Sequence, residues 1–350
     1  MTKNILITSL QSGIGKTTFT LALARKLHNM NIKVGYFKPI SDQSEDIDSI
    51  NAKAVLNMPE AIEDICPVFI SPYEYDMSKD KIQEFRKKIL SSYDKLKTQY
   101  EFLIIETNRT LQNLAFLGFS GIDLAKILDA KILMIASGKH IDDVDSFILI
   151  SEFAKSKDIE VIGGILSIVP LEYNELYKKS ICPELKEQHQ IEVFGLLPDR
   201  SELVAPNVEE INELIHAKII AGEKYMDNLV EHYMIGAMEP ETALKYFRRN
   251  GNKAVITGGD RPQLAIAALE TDTSVLILTG GINPPSSVIA KAEEKHVPIL
   301  LVPNDTFSTT KMLTETPIYG SLKTDQKAKL DAWDKIISEI DCERIYGKLK

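Results

Sequence analysis

The sequence predicts an α/β fold built on a mostly parallel sheet flanked by helices, and three observations predict it. Short apolar runs recur at Ile5 to Thr8, Val34 to Phe37, Phe102 to Ile105, Ile132 to Ala136, Val161 to Val169 and Val193 to Leu197, with longer helix-patterned stretches between them. The first run passes through a loop containing Gly15, Lys16 and Thr17 directly into an amphipathic stretch. Beyond a turn-rich segment, a second and shorter set of alternating runs follows.

Taken in order, the stretch after the first run places Phe19, Leu23 and Leu27 at four-residue spacing, with Ala22 on the same side and Arg25 and Lys26 elsewhere, which predicts a helix. The segment from Pro198 to Pro206 has turn residues and little periodicity, so the boundary is drawn there: 1–205 forms the first domain and 206–320 the second. In the second block, Glu209 to Gly222 and Pro240 to Asn250 are helix-like, and Ala254 to Thr257, Val275 to Thr279 and Ile299 to Val302 read as strands of a small parallel sheet. Residues 321–350 predict a C-terminal helix: from Thr324 onward, Leu330, Trp333, Ile336, Ile337 and Ile340 share one side, which should pack on something. The two blocks do not resemble copies of each other.

Composition narrows the function classes. With 350 residues, 44% hydrophobic and 26% charged, the chain has ample core-forming material, and disorder as the main state is excluded. Lys and Arg total 41 against 50 Asp and Glu, a net charge of −9 that argues against nucleic acid or an anionic membrane as partner. Cys66, Cys182 and Cys342 are far apart and form no CxxC pair, which fits a reducing cytoplasm better than a disulfide framework or a thiolate zinc site. The apolar start is too short for a signal peptide and no run reaches the ~18 residues of a membrane span, so a cytoplasmic protein is expected. The histidines show no HxH or HExxH spacing and read as surface or packed residues.

The strongest chemical signal is the segment from Ser9 to Thr18, between the first strand and the first helix. Gly13 and Gly15 permit a backbone whose N–H groups converge on phosphate oxygens, so Ser12, Gly13, Ile14, Gly15, Lys16, Thr17 and Thr18 are the expected nucleotide-binding residues. Lys16, read as an exposed lysine, would neutralise the β and γ phosphates, and Thr17 would give its hydroxyl to Mg²⁺. ATP or a close relative is the expected ligand. Leu10 stands where the usual GxxxxGK[ST] pattern has glycine. Glu106, ending an apolar strand, is the first candidate for a metal-binding acid. Asp48 lies in an acidic stretch after the second strand that composition alone reads as a solvated surface loop. Lys38, held extended by Pro39 at a strand end, could face an anionic substrate or the γ-phosphate, or stand as an ordinary surface lysine.

These residues carry a resemblance. The segment Ser9-Leu10-Gln11-Ser12 before Gly13, the stretch Gly35 to Ser41 and the strand Phe102 to Glu106 resemble the dethiobiotin synthetase-like branch of P-loop ATPases. The resemblance implies that Lys16 binds phosphate, that Thr17, Asp48 and Glu106 hold Mg²⁺, and that Lys38 faces an acyl or carboxylate substrate, making Lys16 and Lys38 the catalytic pair. Two departures weigh against dethiobiotin synthesis: Glu106-Thr107-Asn108-Arg109-Thr110 replaces a Gly-rich substrate segment, and Ser167 stands where the family has an adenine-contacting Asn.

The second block resembles the DRTGG domain, through Thr257-Gly258-Gly259-Asp260-Arg261-Pro262, Leu278 to Gly281 and Pro303 to Thr306. The pair resembles the N-terminal region of long phosphate acetyltransferases, whose catalytic domain is not expected in the short stretch after Gly320. Physically, the Gly258-Gly259 and Gly280-Gly281 turns should share one sheet edge, where they could hold a small anionic metabolite or another subunit, or serve only as tight turns that reverse the chain. The implied function is an ATP- and Mg²⁺-binding regulatory or sensor protein acting on a metabolic enzyme partner, with room for a homo-oligomer. The alternative is an ATP-dependent ligase or kinase that activates a small carboxylate.

Overall fold

The computed structural model describes residues 2–71, 78–198, 205–315, 334 and 336–349. The chain divides into two compact units, Met1–Arg200 with Leu322–Lys350, and Ser201–Ser321.

In the first unit, β1 (Lys3–Ser9), β2 (Val34–Phe37), β5 (Phe102–Glu106), β6 (Lys131–Ser137), β7 (Val161–Val169) and β8 (Val193–Pro198) form a six-stranded sheet in the order β2-β5-β1-β6-β7-β8. All its pairings are parallel. Two short strands, β3 (Ile40–Ser41) and β4 (Val68–Phe69), pair separately. The six expected strands are therefore present, and their nearly continuous apolar character follows from burial on both faces. From β1 the chain runs out to edge strand β2, returns to β5 beside β1, and then crosses to β6 on the other side. That reversal makes the carboxyl end of β1 a topological switch point, where the loops after β1 and β5 face a common crevice. Helix α1 (Lys16–Asn29) buries Phe19, Leu23 and Leu27 as its spacing predicts.

The expected helix from Thr324 lies largely outside the described residues, Leu330 and Trp333 included. Ile336, Ile337 and Ile340 are buried as expected. Ile340 departs from helix by bridging Gly195 in antiparallel fashion, and a short helix, Cys342–Gly347, follows. Tyr346 of that helix packs 5.7 Å from the Phe102 ring, and Lys3 lies 4.2 Å from its centroid.

The second unit contains β9 (Lys218–Ala221), β10 (His232–Ile235), β11 (Lys253–Gly258), β12 (Thr273–Thr279) and β13 (Ile299–Leu301), in the order β10-β11-β12-β13-β9. Alternation along the strands defines two faces. Val255, Leu276 and Leu278 pack with the helices Pro240–Phe247, Pro262–Leu269 and Ser286–Lys295. Ala254, Ile256, Val275 and Ile277 pack with the helices Val208–Ile215 and Thr306–Glu315.

The expected helix from Glu209 to Gly222 is corrected: it ends at Ile215, where His216 turns left-handed with φ 48°, and Lys218–Ala221 becomes β9. β9 pairs antiparallel with β13, so this sheet is mixed rather than wholly parallel. A run of four residues, Lys-Ile-Ile-Ala, is too short for its periodicity to separate strand from helix, and the pairing partner decided it. Strand β10 was likewise not legible in the sequence.

Candidate functional site

The loop after β1 leaves its backbone open. Gly13 and Gly15 adopt φ of +75° and +83°, and a Cβ at Gly13 would meet nothing within 4 Å, so the backbone there faces open space. Leu10 is buried and has no left-handed φ, and its N–H donates to the Ile135 carbonyl at 3.1 Å. Glycine is therefore not required at that position. Gln11 anchors the loop to β6, accepting from the Ser137 N–H at 3.3 Å and donating to Asp143 at 2.9 Å.

Lys16 and Thr17 open α1 and meet the end of β5. Lys16 Nζ donates to Glu106 Oε1 and to the Thr107 carbonyl, both at 2.6 Å, and Thr17 Oγ1 donates to the same Glu106 oxygen at 2.6 Å. The other oxygen, Oε2, accepts from the Tyr36 hydroxyl of β2 at 3.2 Å. Glu106 is wholly buried. Burial by itself would raise its pKa, but the charges of Lys16 and Lys38 and the Lys16 and Thr17 hydrogen bonds hold it below the usual carboxylate range. The Tyr36 hydroxyl moves well above its ordinary value through burial and the nearby Glu106 charge. Lys16 is not the exposed lysine its position in the sequence predicts: 10% of its side chain is accessible.

A second buried cluster sits beside the first. Lys38 Nζ donates to Asp46 Oδ2 at 2.7 Å and Asp48 Oδ2 at 2.6 Å. Asp46 is the N-cap of helix α2 (Ile47–Leu56), taking the Ser49 N–H on Oδ1 at 2.8 Å, while Asp48 lies in the first turn of that helix. Asp48 is thus a buried helix residue rather than a solvated loop acid. Burial opposes the Lys38 cation, yet Asp48 and Asp46 outweigh it and raise its pKa. For Asp46, burial is overcome by the Lys38 charge and by hydrogen bonds from Lys38, Ser49 and Ser41, leaving it lowered. Asp48 ends raised: burial leads, Lys38 opposes it only in part, and repulsion from Glu106 and Asp46 adds. Arg109 Nε pairs with Asp42 at 2.5 Å, tying the segment after β5 to the one before α2.

Sequence reasoning missed Asp46 and Tyr36. An Asp directly before an apolar-periodic run is a helix-start signal that could have found Asp46. Tyr36 lies in a strand buried throughout, where alternation gives no hint of which side chain reaches a functional group.

The donor set is chemically suited to Mg²⁺: Thr17 supplies a hydroxyl and Glu106 and Asp48 supply carboxylates, all hard oxygen ligands. Around them two lysines face three carboxylates, a cluster one positive charge short of balance. Among the described residues, no group of three His, Cys, Asp or Glu is placed to hold a metal unaided. Mg²⁺ commonly takes one or two carboxylates and completes its shell with water and substrate phosphates.

A model of the AAA domain, AAA_26, matches residues 3–207. The chain belongs to this family. A DRTGG domain model matches residues 210–316, so the family's P-loop ATPase-like module is joined here to a DRTGG domain. The chain is 26% identical over 352 aligned residues to a phosphate acetyltransferase of Nitratidesulfovibrio vulgaris, covering 95% of this chain and 49% of that enzyme. It therefore spans about half the length of that relative, and the similarity lies in the relative's N-terminal region. It is 27% identical to the ATP-dependent dethiobiotin synthetase BioD of Methanocaldococcus jannaschii, over 57% of this chain and 95% of that one. Among solved structures, the CBS and DRTGG domains of the regulatory region of Clostridium perfringens pyrophosphatase, complexed with the activator diadenosine tetraphosphate, match 34% of this chain and 50% of theirs, at 22% identity and a TM-score of 0.29. No helix among the described residues is long and apolar enough to cross a membrane.

Proposed function

We propose that this chain is an ATP- and Mg²⁺-binding regulatory or sensor protein in which nucleotide at the β1 loop is read by a metabolic enzyme partner. The observation that carries the reading is the convergence of Lys16 and Thr17 on one oxygen of the buried Glu106, at the carboxyl end of β5 and beside the open glycine loop that follows β1. Backbone N–H groups of Ser12 to Thr18 and the Lys16 ammonium would hold the phosphates, and Thr17, Asp48 and Glu106 would hold Mg²⁺. Bound Mg²⁺ supplies the charge neutralisation that phosphoryl transfer requires.

The chain's own part is an exchange of partners. Lys16 leaves Glu106 for a phosphate oxygen, and the released carboxylate, still held by Tyr36, becomes available on its Oε1 side. Lys38 is already matched by two carboxylates, which leaves it poorly placed to orient an acid substrate while both remain bound. The altered segment after Glu106, tied down through Arg109 and Asp42, points the same way.

Calorimetric titration with ATP, with and without MgCl₂, followed by phosphate-release assays across a panel of small carboxylic acids, tests the proposal. Mg²⁺-enhanced binding with acid-independent, slow or absent turnover is expected. Acid-dependent phosphate release would select the ATP-dependent ligase instead, and absence of ATP binding would overturn both.

A further inference from the structure

The second unit has a crevice of its own. A cavity of 410 Å³ opens at the carboxyl end of its sheet, lined by the segments that follow β10, β11, β12 and β13. Its position has a topological cause. The chain leaves β12 for the helix Ser286–Lys295 on one face of the sheet, and leaves the adjacent β13 for the helix Thr306–Glu315 on the other. Adjacent strands whose connections part to opposite faces leave a gap between their following loops, and such gaps bind ligands in open α/β sheets. The volume falls within the range of small-molecule sites.

The lining narrows the chemistry. Arg261 reaches across to donate from Nη1 to the Ala237 carbonyl at 3.2 Å, one of the five donors its guanidinium carries. Its neighbour Asp260 also lines the cavity, and both side chains are exposed at its mouth. The other acid, Asp305, is engaged by the Ser308 N–H and hydroxyl at 3.0 and 2.7 Å, so it does not compete for Arg261. Ile282, 46% exposed, adds an apolar wall. Gly280, at φ +81°, would carry a Cβ into open space with nothing within 4 Å, so the turn there crowds nothing out of the cavity. An exposed guanidinium suits a phosphate, and a neighbouring exposed carboxylate suits hydroxyl groups.

We infer that this cavity is a binding site for a hydroxyl-bearing phosphate ester. The site lies wholly within the second unit and does not depend on nucleotide at the β1 loop. The ester has two sources, a free sugar phosphate or the ribose phosphate of a nucleotide, and the test separates them.

Ribose 5-phosphate, AMP and inorganic phosphate are each titrated into the full chain by calorimetry, with hydrogen exchange followed at 258–264 and 279–284. Saturable binding of at least one ester, tighter than inorganic phosphate and protecting both segments, is expected. Preference between the two esters identifies the source. Arg261→Gln should weaken binding about tenfold or more. Asp260→Asn should weaken the esters while leaving inorganic phosphate unchanged. Because Ile282 is partly exposed, Ile282→Trp should fold normally and abolish binding by filling the space. Absence of protection at 258–264 and 279–284 with either ester, or binding insensitive to both Arg261→Gln and Ile282→Trp, overturns the inference. Protection at 10–18 reports separately on the β1 loop, so failure of one site is distinguishable from failure of the other.

Discussion

Lys16 and Lys38 stand within the same unit, each with its ammonium on buried carboxylate, yet they are solved differently. Lys16 has one carboxylate, Glu106, which it shares with Thr17 and Tyr36, and its second bond goes to a backbone carbonyl. Lys38 has two carboxylates, both on or at the cap of α2. The difference separates a lysine with one charged partner from a lysine that keeps Asp46 even when Asp48 is shared. A lone lysine–carboxylate contact beside an open loop can be replaced by phosphate and metal, whereas a lysine gripped by two acids resists replacement because freeing it exposes two buried charges.

The largest expected effect tests that division directly. Lys38→Met strands Asp46 and Asp48 in the interior and should destabilise the chain by about 3–5 kcal/mol, the cost of breaking a buried pair from one side. Chemical denaturation measures it, and a smaller loss than that of Lys16→Met would break the comparison. Lys16→Met should cost somewhat less, and adding Glu106→Gln should restore much of it, since the uncompensated charge is then gone. The same Lys16 variant should weaken ATP binding by at least about tenfold, as loss of a charge-assisted hydrogen bond worth about 1.5–3 kcal/mol requires.

Next in size is a contrast between two acids on one lysine. Asp46 is lowered, so its stabilising contribution is present above the ordinary carboxylate pKa of about 3.9 and is lost as pH falls through its folded value. Asp48 is raised, so its contribution is present below that pKa and is lost as pH rises through its folded value. Measured without divalent cations at pH 7, Asp46→Asn should therefore destabilise and Asp48→Asn should not. The Asp46→Asn deficit should shrink on acidification. Equal losses for the two variants at pH 7 would show that Lys38 treats them alike.

Tyr36→Phe should cost about 1.5 kcal/mol, the low end for a bond to a charged acceptor, because the 3.2 Å contact is long. The smallest effect concerns the thiols. Burial pushes Cys182 and Cys342 up to about 11 and Cys66 up to about 12. At pH 8 a thiol at 11 is thiolate in roughly one molecule per thousand, against about a quarter for a free thiol near 8.5. Iodoacetamide labelling should accordingly be slow in the native chain and fast after denaturation. Rapid labelling of the native chain would sharpen the picture by locating a looser region.

The legibility of the sequence follows the same physical line. Six parallel strands of the first unit were readable because strands buried on both faces are unbroken apolar runs, and α1 because its buried stripe repeats every four residues. The positions of Lys16 and Thr17 at the start of α1 and of Glu106 at the end of β5 were readable because the glycine loop and the apolar strand mark them by composition. Asp48 carried no such mark: an acidic stretch is the same in sequence whether solvated or capping a helix, and only the buried Lys38 distinguishes them. β9 was misread as helix because four residues carry no period, and the free edge of β13 recruited them.

By itself, the sequence determined the alternation of strand and helix, the glycine-bearing loop between β1 and α1 and the turn residues at the strand ends, since each is written in local composition and spacing. Tertiary structure alone decided how the charges pair: which acid meets Lys16 and which two meet Lys38. Ion pairing depends on distances set by strand order and on burial that raises the cost of every unmatched charge, and neither quantity is contained in any short stretch of residues.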